Sequence, residues 1–131
     1  MFGNARRITV TDLALAERCA VLRVAGELDL DTEKDLLDHA GRLVGNGHQH
    51  LVLDLTALMF CDSRGLNCLL SLNWLCGRME GRLLLAGVGV RVMHLLTTTG
   101  ACHAFSCFTT VRHALDTVPP AYRPSWPPGT G

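Results

Sequence analysis

The chain has none of the sequence features that mark nucleic-acid-binding, membrane-spanning or exported proteins. Among its 131 residues, 12 basic residues balance 12 acidic residues, and no basic run or patch of arginines with aromatics occurs. Direct binding of nucleic acid is therefore not expected. No apolar run approaches the ~20 residues that a bilayer-spanning helix needs. The N-terminal MFGNARRITVTDL also lacks an apolar export segment, so we expect a cytoplasmic protein without a membrane span.

Recognisable catalytic motifs are also missing, and we therefore do not expect an enzyme. The segment Cys61-Asp62-Ser63-Arg64-Gly65 lacks the first glycine of a Gly-x-Ser-x-Gly nucleophile turn. None of the six histidines has a motif around it that indicates a base for a catalytic serine. Lys34 is the only lysine, and the chain contains no Gly-x-x-x-x-Gly-Lys-Ser phosphate-binding loop.

Cysteine is abundant, but it is not arranged as in disulfide-rich or zinc-binding domains. Six cysteines are present, no Cys-x-x-Cys pair occurs, and most lie among apolar neighbours. We interpret them as buried free thiols. The candidates for a metal site are Cys102, His103, Cys107, His48 and His50. Their spacing matches no usual zinc pattern, so no metal or cofactor is expected.

Apolar periodicity predicts one α/β domain over residues 1–118, with a mixed sheet of four to five strands flanked by about four helices. Strands are expected over residues 8–15, 20–24, 51–55, 82–88 and 105–108. Helices are expected over residues 32–44, 63–78, 90–99 and 110–118. Thr32 is predicted to cap the first helix, with Asp35 completing a capping box.

The last thirteen residues have a different composition from the rest of the chain. Residues 119–131, PPAYRPSWPPGTG, hold all five prolines and cannot continue a helix. This composition predicts a flexible C-terminal tail with polyproline character. A proline-rich ligand for an aromatic groove is the alternative interpretation, and the inert tail is favoured.

The segment from residue 51 to residue 70 is the most informative part of the sequence. An apolar strand ends near residues 60–62 and a helix follows, with Asp62, Ser63 and Gly65 at the junction. Such junctions are where α/β proteins often carry functional residues. The simplest interpretation is that Asp62 or Ser63 caps the helix, which stabilises it by about 1 kcal/mol.

The helix predicted over residues 63–78 has two distinct faces. At about 100° per residue, its inner face is expected to carry Leu69, Leu72, Cys76 and Met79. Its outer stripe is expected to carry Asn67, Ser71, Trp74 and Arg78. An exposed tryptophan with a polar rim is typical of a protein-binding face. The alternative is that a neighbouring loop covers the tryptophan.

Three motifs resemble the STAS domain family, and within it the bacterial anti-sigma factor antagonists. They are Gly-Glu-Leu-Asp at residues 26–29, Leu-Val-Leu-Asp-Leu at residues 51–55 and Phe-Cys-Asp-Ser-Arg-Gly-Leu at residues 60–66. The resemblance covers about residues 8–117 and implies a mixed sheet flanked by helices. It also implies a partner, an anti-sigma factor that is itself a serine kinase, whose capture releases the sigma factor.

The resemblance implies a role for individual residues. Ser63 is expected to be the phosphoacceptor, with Asp29 facing it, and phosphorylation is expected to break the complex until a phosphatase restores Ser63. Gly65 is expected to let the kinase backbone approach. Arg64 departs from the family, which more often has Ser or Thr there, so Arg64 either pairs with the phosphate or selects a different kinase.

The predicted contacts with the kinase combine the motif and the outer stripe. They are Asp29, Asp62, Arg64, Gly65, Leu66, Asn67, Ser71, Trp74 and Arg78. The alternative function is a scaffold subunit of a stress-signalling or lipid-transport complex, in which Ser63 is only a helix cap. A homodimer is compatible with either function.

Overall fold

The computed structural model describes residues 7–129, which form a mixed six-stranded sheet with helices on both faces. The strands are β1 (Ile8–Ala16), β2 (Cys19–Leu28), β3 (His50–Asp54), β4 (Leu58–Cys61), β5 (Arg82–Ala86) and β6 (Ser106–Phe108). The helices are α1 (Glu33–Gly45), α2 (Ser63–Arg78), α3 (Val90–Thr98) and α4 (Val111–Leu115). Two short 3-10 turns lie at Ala101–His103 and Pro120–Tyr122. The predicted α/β architecture is confirmed.

The sheet is parallel apart from its first strand. The strand order is β1-β2-β3-β5-β6, with β1 antiparallel to β2 and the other pairs parallel. Every residue of β3 is buried, as expected for a central strand covered on both faces. The strand β4, which was not predicted, pairs with the end of β2 beyond β3. The junction at residue 62 therefore lies where β2 and β4 both end.

The two faces of the sheet are covered unequally. On one face, α1, α2 and α3 pack on the larger core, which includes Leu51 and Leu53 of β3. On the other face, Val52 of β3 packs in a smaller core, which α4 covers together with the C-terminal tail. Because α4 has only five residues, the smaller core needs the tail to complete its cover.

The tail packs against the domain in a way that its proline content did not indicate. Tyr122 stacks on His50, with ring centroids 5.7 Å apart. The Tyr122 hydroxyl accepts a hydrogen bond of 3.0 Å from Arg18. The backbone oxygen of Trp126 accepts a hydrogen bond of 3.0 Å from Arg112. A flexible tail was expected over residues 119–131, of which residues 130 and 131 lie outside the described part of the chain. Within residues 119–129, the side chains of Tyr122 and Trp126 pack on the smaller core.

The N-terminus of α1 is built differently from the prediction. Thr32 occupies the N-cap position, but its hydroxyl makes no capping hydrogen bond to the helix. Instead, the hydroxyl accepts from the Asp29 N–H at 2.9 Å and donates to the Glu27 carbonyl at 2.8 Å. The predicted capping box of Thr32 and Asp35 is therefore wrong, because the threonine hydroxyl closes the turn between β2 and α1.

His50 lies in a buried position beneath the tail. Its Nδ1 atom is buried and has no hydrogen-bond partner in the described part of the chain. Burial, and after it the positive charges of Arg82 and Arg18, lowers the pKa of His50 from its ordinary value of 6.5. The folded protein therefore favours neutral His50, whereas the unfolded chain leaves this histidine in water with its ordinary pKa.

Acidification is expected to destabilise the fold through His50. Because the pKa is lower in the folded state, the unfolded chain binds the proton first as the pH falls. The stability that depends on neutral His50 is present above pH ~6.5 and is lost below it. Urea unfolding at about pH 7.5 and at about pH 5.5 should show that wild type loses more free energy of unfolding on acidification than His50→Gln does. The exposed His94 provides the control His94→Gln, which should lose as much stability as wild type. An equal loss for His50→Gln and wild type would contradict the assignment.

Candidate functional site

Asp62 is the N-cap residue of helix α2, and Ser63 is the first residue of that helix. The Asp62 backbone is extended, and its carboxylate accepts hydrogen bonds of 3.0 Å from the N–H groups of both Arg64 and Gly65. Ser63 is exposed. Within residues 7–129 the Ser63 hydroxyl makes no hydrogen bond to another protein group. The cap is Asp62, so the interpretation of Ser63 as only a helix cap is wrong.

The surroundings of Ser63 provide no group that would activate it as a nucleophile. The residues that the structure describes place no histidine or carboxylate in hydrogen-bond contact with its hydroxyl. Intrinsic activation of a serine requires such a base. The Ser63 hydroxyl is instead exposed to solvent.

Two residues expected to contact the partner are buried in the domain. Gly65 is buried, and a Cβ atom built there would lie 2.4 Å from the Leu28 carbonyl oxygen and 2.8 Å from the Cys61 Sγ. Leu66 is only 6% exposed and belongs to the larger core. Gly65 therefore lets α2 pack against the end of β2. The expected contact of Gly65 and Leu66 with the kinase stays a prediction.

Asp29 lies in the loop beside the junction, and its carboxylate is already bound. The preceding carbonyl, that of Leu28, accepts a hydrogen bond of 3.3 Å from the Asp62 N–H, which joins this loop to the junction. The Arg7 guanidinium lies 2.9 Å from the Asp29 carboxylate. The same guanidinium pairs with two further carboxylates, those of Glu27 at 2.9 Å and Asp31 at 3.0 Å. The structure thus places Asp29 near the junction, held by Arg7.

Arg64 connects the first turns of α1 and α2. Its Nη2 atom lies 2.8 Å from a carboxylate oxygen of Glu33. Both side chains line a surface groove between the two helices, which continues past Asn67 and Ser71. Asn67 and Ser71 also line a second groove, beside Trp74. Two adjacent grooves that share Asn67 and Ser71 therefore lie along α2 between Arg64 and Trp74.

The outer stripe of α2 faces solvent as the helical spacing predicted. Asn67, Ser71, Trp74 and Arg78 are all exposed, and Trp74 is 65% exposed. The Arg78 guanidinium lies 5.3 Å from the centroid of the Trp74 ring, so the ring is oriented by its own helix and no loop covers it. Met79 was predicted to face inward but is exposed, because α2 ends at Arg78.

An apolar surface beside the junction was not predicted from the sequence. Leu30, Met59 and Phe60 are exposed, Met59 at 76%. We refer to these three residues as the apolar rim. Phe60 pairs with Glu27 across β4 and β2, and Met59 occupies the irregularity in that pairing. Neighbouring residues of a strand point to opposite faces of the sheet, so Met59 and Phe60 cannot both face one core. This pair of apolar residues was the signal in the sequence from which an exposed apolar side chain could have been expected. These exposed apolar side chains lie on the segments that lead into the junction.

The cysteines near the junction are unreactive thiols. All six cysteines are free, as predicted. Burial, together with the negative charge of Asp62, raises the pKa of the Cys61 thiol to about 12. Burial likewise raises the pKa of Cys68 to about 12. Because the thiolate is the reactive form, these residues contribute packing. Within residues 7–129 no group of three or more His, Cys, Asp or Glu side chains is placed to hold a metal ion.

No helix within residues 7–129 combines the length and apolar character needed to cross a bilayer. The helices instead present one apolar face to the sheet, as α1 does with Leu36, Ala40 and Val44.

Comparison with known proteins identifies the family. The family model described as "STAS domain" matches residues 11–114. The anti-sigma-F factor antagonist RsfB of Mycobacterium tuberculosis (strain CDC 1551 / Oshkosh) is 34% identical over 110 residues, which cover 82% of this chain and 87% of that protein. Among solved structures, an anti-sigma factor antagonist from Mycobacterium paratuberculosis superposes with a TM-score of 0.72 and 28% identity, over 84% of this chain and 94% of that one.

A more distant neighbour supports the fold alone. The phosphorylated form of the Bacillus cell fate determinant SpoIIAA superposes with a TM-score of 0.65 at 18% identity, covering 86% of this chain and 99% of that one. The motifs at residues 26–29, 51–55 and 60–66 all lie inside the matched region, and the mixed sheet with its flanking helices agrees with the match. This chain therefore belongs to the STAS domain family.

Proposed function

We propose that the protein is an anti-sigma factor antagonist whose unphosphorylated form binds an anti-sigma factor serine kinase and so releases a sigma factor. The name of the 34% identical relative, which matches 82% of this chain, supports this function. The observation that carries the proposal is the Ser63 hydroxyl. It is exposed at the start of α2, and Asp62 caps the helix in its place.

The proposed modification is a phosphoryl transfer to Ser63. The Ser63 oxygen attacks the γ-phosphorus of ATP on the kinase, ADP leaves, and the hydroxyl proton passes to a base of the kinase. A phosphatase hydrolyses the resulting ester and regenerates the serine. This exchange belongs in the cytoplasm, where ATP is available. The STAS protein is a substrate and a ligand in this cycle.

The proposed binding surface surrounds Ser63 on two sides. The apolar rim lies on the segments that lead into the junction, and the outer stripe of α2 leads away from it. Trp74 is the expected anchor at the far end, because exposed tryptophan contributes strongly to interfaces. Asp29 contributes through the shape of its loop, since Arg7 already holds its carboxylate. The kinase would therefore cover a neutral hydroxyl between apolar and polar contacts.

Incubation with the cognate kinase and ATP is expected to add one phosphate to the protein, measured by intact mass spectrometry. Ser63→Ala should abolish this addition, because no other hydroxyl occupies the motif position. Ser125→Ala is the matched control, since Ser125 is an exposed serine in the C-terminal segment, outside the proposed binding surface, and this variant should still accept one phosphate. Phosphate on another residue, or Ser63→Ala protein that still accepts it, would overturn the assignment and favour a scaffold function.

A further inference from the structure

The ion pair between Arg64 and Glu33 places a guanidinium one residue from the proposed phosphoacceptor. The Nη2 of Arg64 lies 2.8 Å from Glu33, with side-chain exposures of 52% for Arg64 and 18% for Glu33. Arg64 is therefore half exposed and able to rotate, whereas Glu33 is mostly enclosed at the start of α1. The arginine is the partner that can move.

Two of the backbone N–H groups at the start of α2 are already bound by a carboxylate. The Asp62 carboxylate already accepts the N–H groups of Arg64 and Gly65, each at 3.0 Å. A phosphate on Ser63 would have to displace Asp62 to use these two donors. It would also stand next to the negative charge of Asp62, so it requires a cation from a side chain.

Other cations near the junction are already engaged with carboxylates. Arg7 is shared by the carboxylates of Glu27, Asp29 and Asp31. Lys34 forms an ion pair with Asp38, which lies one turn further along α1. Arg64 has an ion pair with one carboxylate, and it follows Ser63 directly in the chain.

We propose that Arg64 exchanges partners when Ser63 is phosphorylated, leaving Glu33 and pairing with the phosphoserine. The inference rests on the proposed role of Ser63 as phosphoacceptor. A phosphoserine carries about −1.5 to −2 charges at neutral pH and offers three acceptor oxygens. A guanidinium binds such a group through two parallel hydrogen bonds. Glu33 offers one negative charge, so the phosphate is the stronger competitor for Arg64.

The exchange changes the groove between α1 and α2 as well as the modified residue. Once Arg64 leaves, the negative charge of Glu33 is no longer neutralised. The groove between α1 and α2, which Asp38 also lines, therefore becomes more negative. Its position in the first turn of α1 lets the helix dipole stabilise that charge. Since the adjacent groove beside Trp74 shares Asn67 and Ser71 with this one, phosphorylation would alter the charge along the proposed binding surface beyond residue 63.

The exchange can be tested on full-length protein carrying phosphoserine at position 63, installed by genetic incorporation so that no kinase is needed. Phosphorus-31 NMR during a pH titration reports the second pKa of the phosphate. This pKa should be about one unit lower in wild type than in Arg64→Ser, because the guanidinium stabilises the dianion. It should be lower still in Glu33→Gln, which removes the competing carboxylate. Arg42→Ser, an exposed change at the other end of α1, should titrate like wild type.

Two results would overturn the exchange. Equal phosphate pKa values in wild type and Arg64→Ser would show that Arg64 does not contact the phosphate. Equal values in wild type and Glu33→Gln would show that Glu33 does not compete for the arginine. Because the phosphoserine is installed without a kinase, either result leaves the phosphorylation experiment on Ser63 to decide the proposed function separately.

Discussion

Ser63→Asp is expected to weaken binding to the anti-sigma factor kinase by about a hundredfold or more, with little change in the stability of the free protein. In the free protein the new carboxylate is exposed at the start of α2, where the helix dipole offsets its proximity to Asp62. In the complex it would be covered beside Asp62. Burying an unpaired charge costs about 3–5 kcal/mol, and each 1.4 kcal/mol corresponds to about tenfold in affinity.

Isothermal titration calorimetry against the purified kinase would measure the affinity, and thermal unfolding would measure the stability. Ser63→Asn is the matched control, because asparagine has nearly the shape of aspartate without the charge. We expect Ser63→Asn to bind far more tightly than Ser63→Asp. If the two variants lose affinity equally, the partner senses the size of the side chain, and the electrostatic account of the switch fails.

The limits of α2 could be predicted because local chemistry determines them. A short acidic residue, Asp62, precedes the first turn and caps it, and the apolar spacing of Leu69, Leu72 and Cys76 orients the helix on the sheet. The same spacing placed Trp74 on the outside, where the structure has it. These features depend on residues within a few positions of one another, so the sequence is sufficient to find them.

The ion pairs around the junction could not be predicted because they join distant parts of the chain. Arg7 reaches Asp29 only because β1 and β2 pair with Ile8 opposite Gly26. Arg64 reaches Glu33 only because α1 and α2 lie side by side on one face of the sheet. Hairpin register and helix packing decide these contacts, and neither follows from the local pattern of charges.

The close packing around Gly65 could not be predicted for a related reason. A glycine in the motif shows that a side chain is absent, but it does not show which neighbour occupies the space. The structure gives that neighbour as the Leu28 carbonyl at the end of β2, together with the Cys61 thiol. The close approach is internal to the domain, where α2 packs against the end of β2.

Gly65→Ala is accordingly expected to destabilise the free protein by about 3 kcal/mol and to lower its melting temperature by about 10 °C. The added methyl group would lie 2.4 Å from the Leu28 carbonyl oxygen. That carbonyl cannot retreat easily, since it accepts the Asp62 N–H. The first turn of α2 must therefore move away from β2. Urea or thermal unfolding of the isolated protein measures the effect.

Gly77→Ala provides a matched control in the same helix. Nothing lies within 4 Å of a Cβ atom at Gly77, so this substitution should leave stability unchanged or raise it by up to about 1 kcal/mol through helix propensity. If Gly65→Ala were as stable as Gly77→Ala and lost only kinase binding, the glycine would serve the approach of the partner. A loss of stability in the isolated protein would instead show that Gly65 allows α2 to pack against β2.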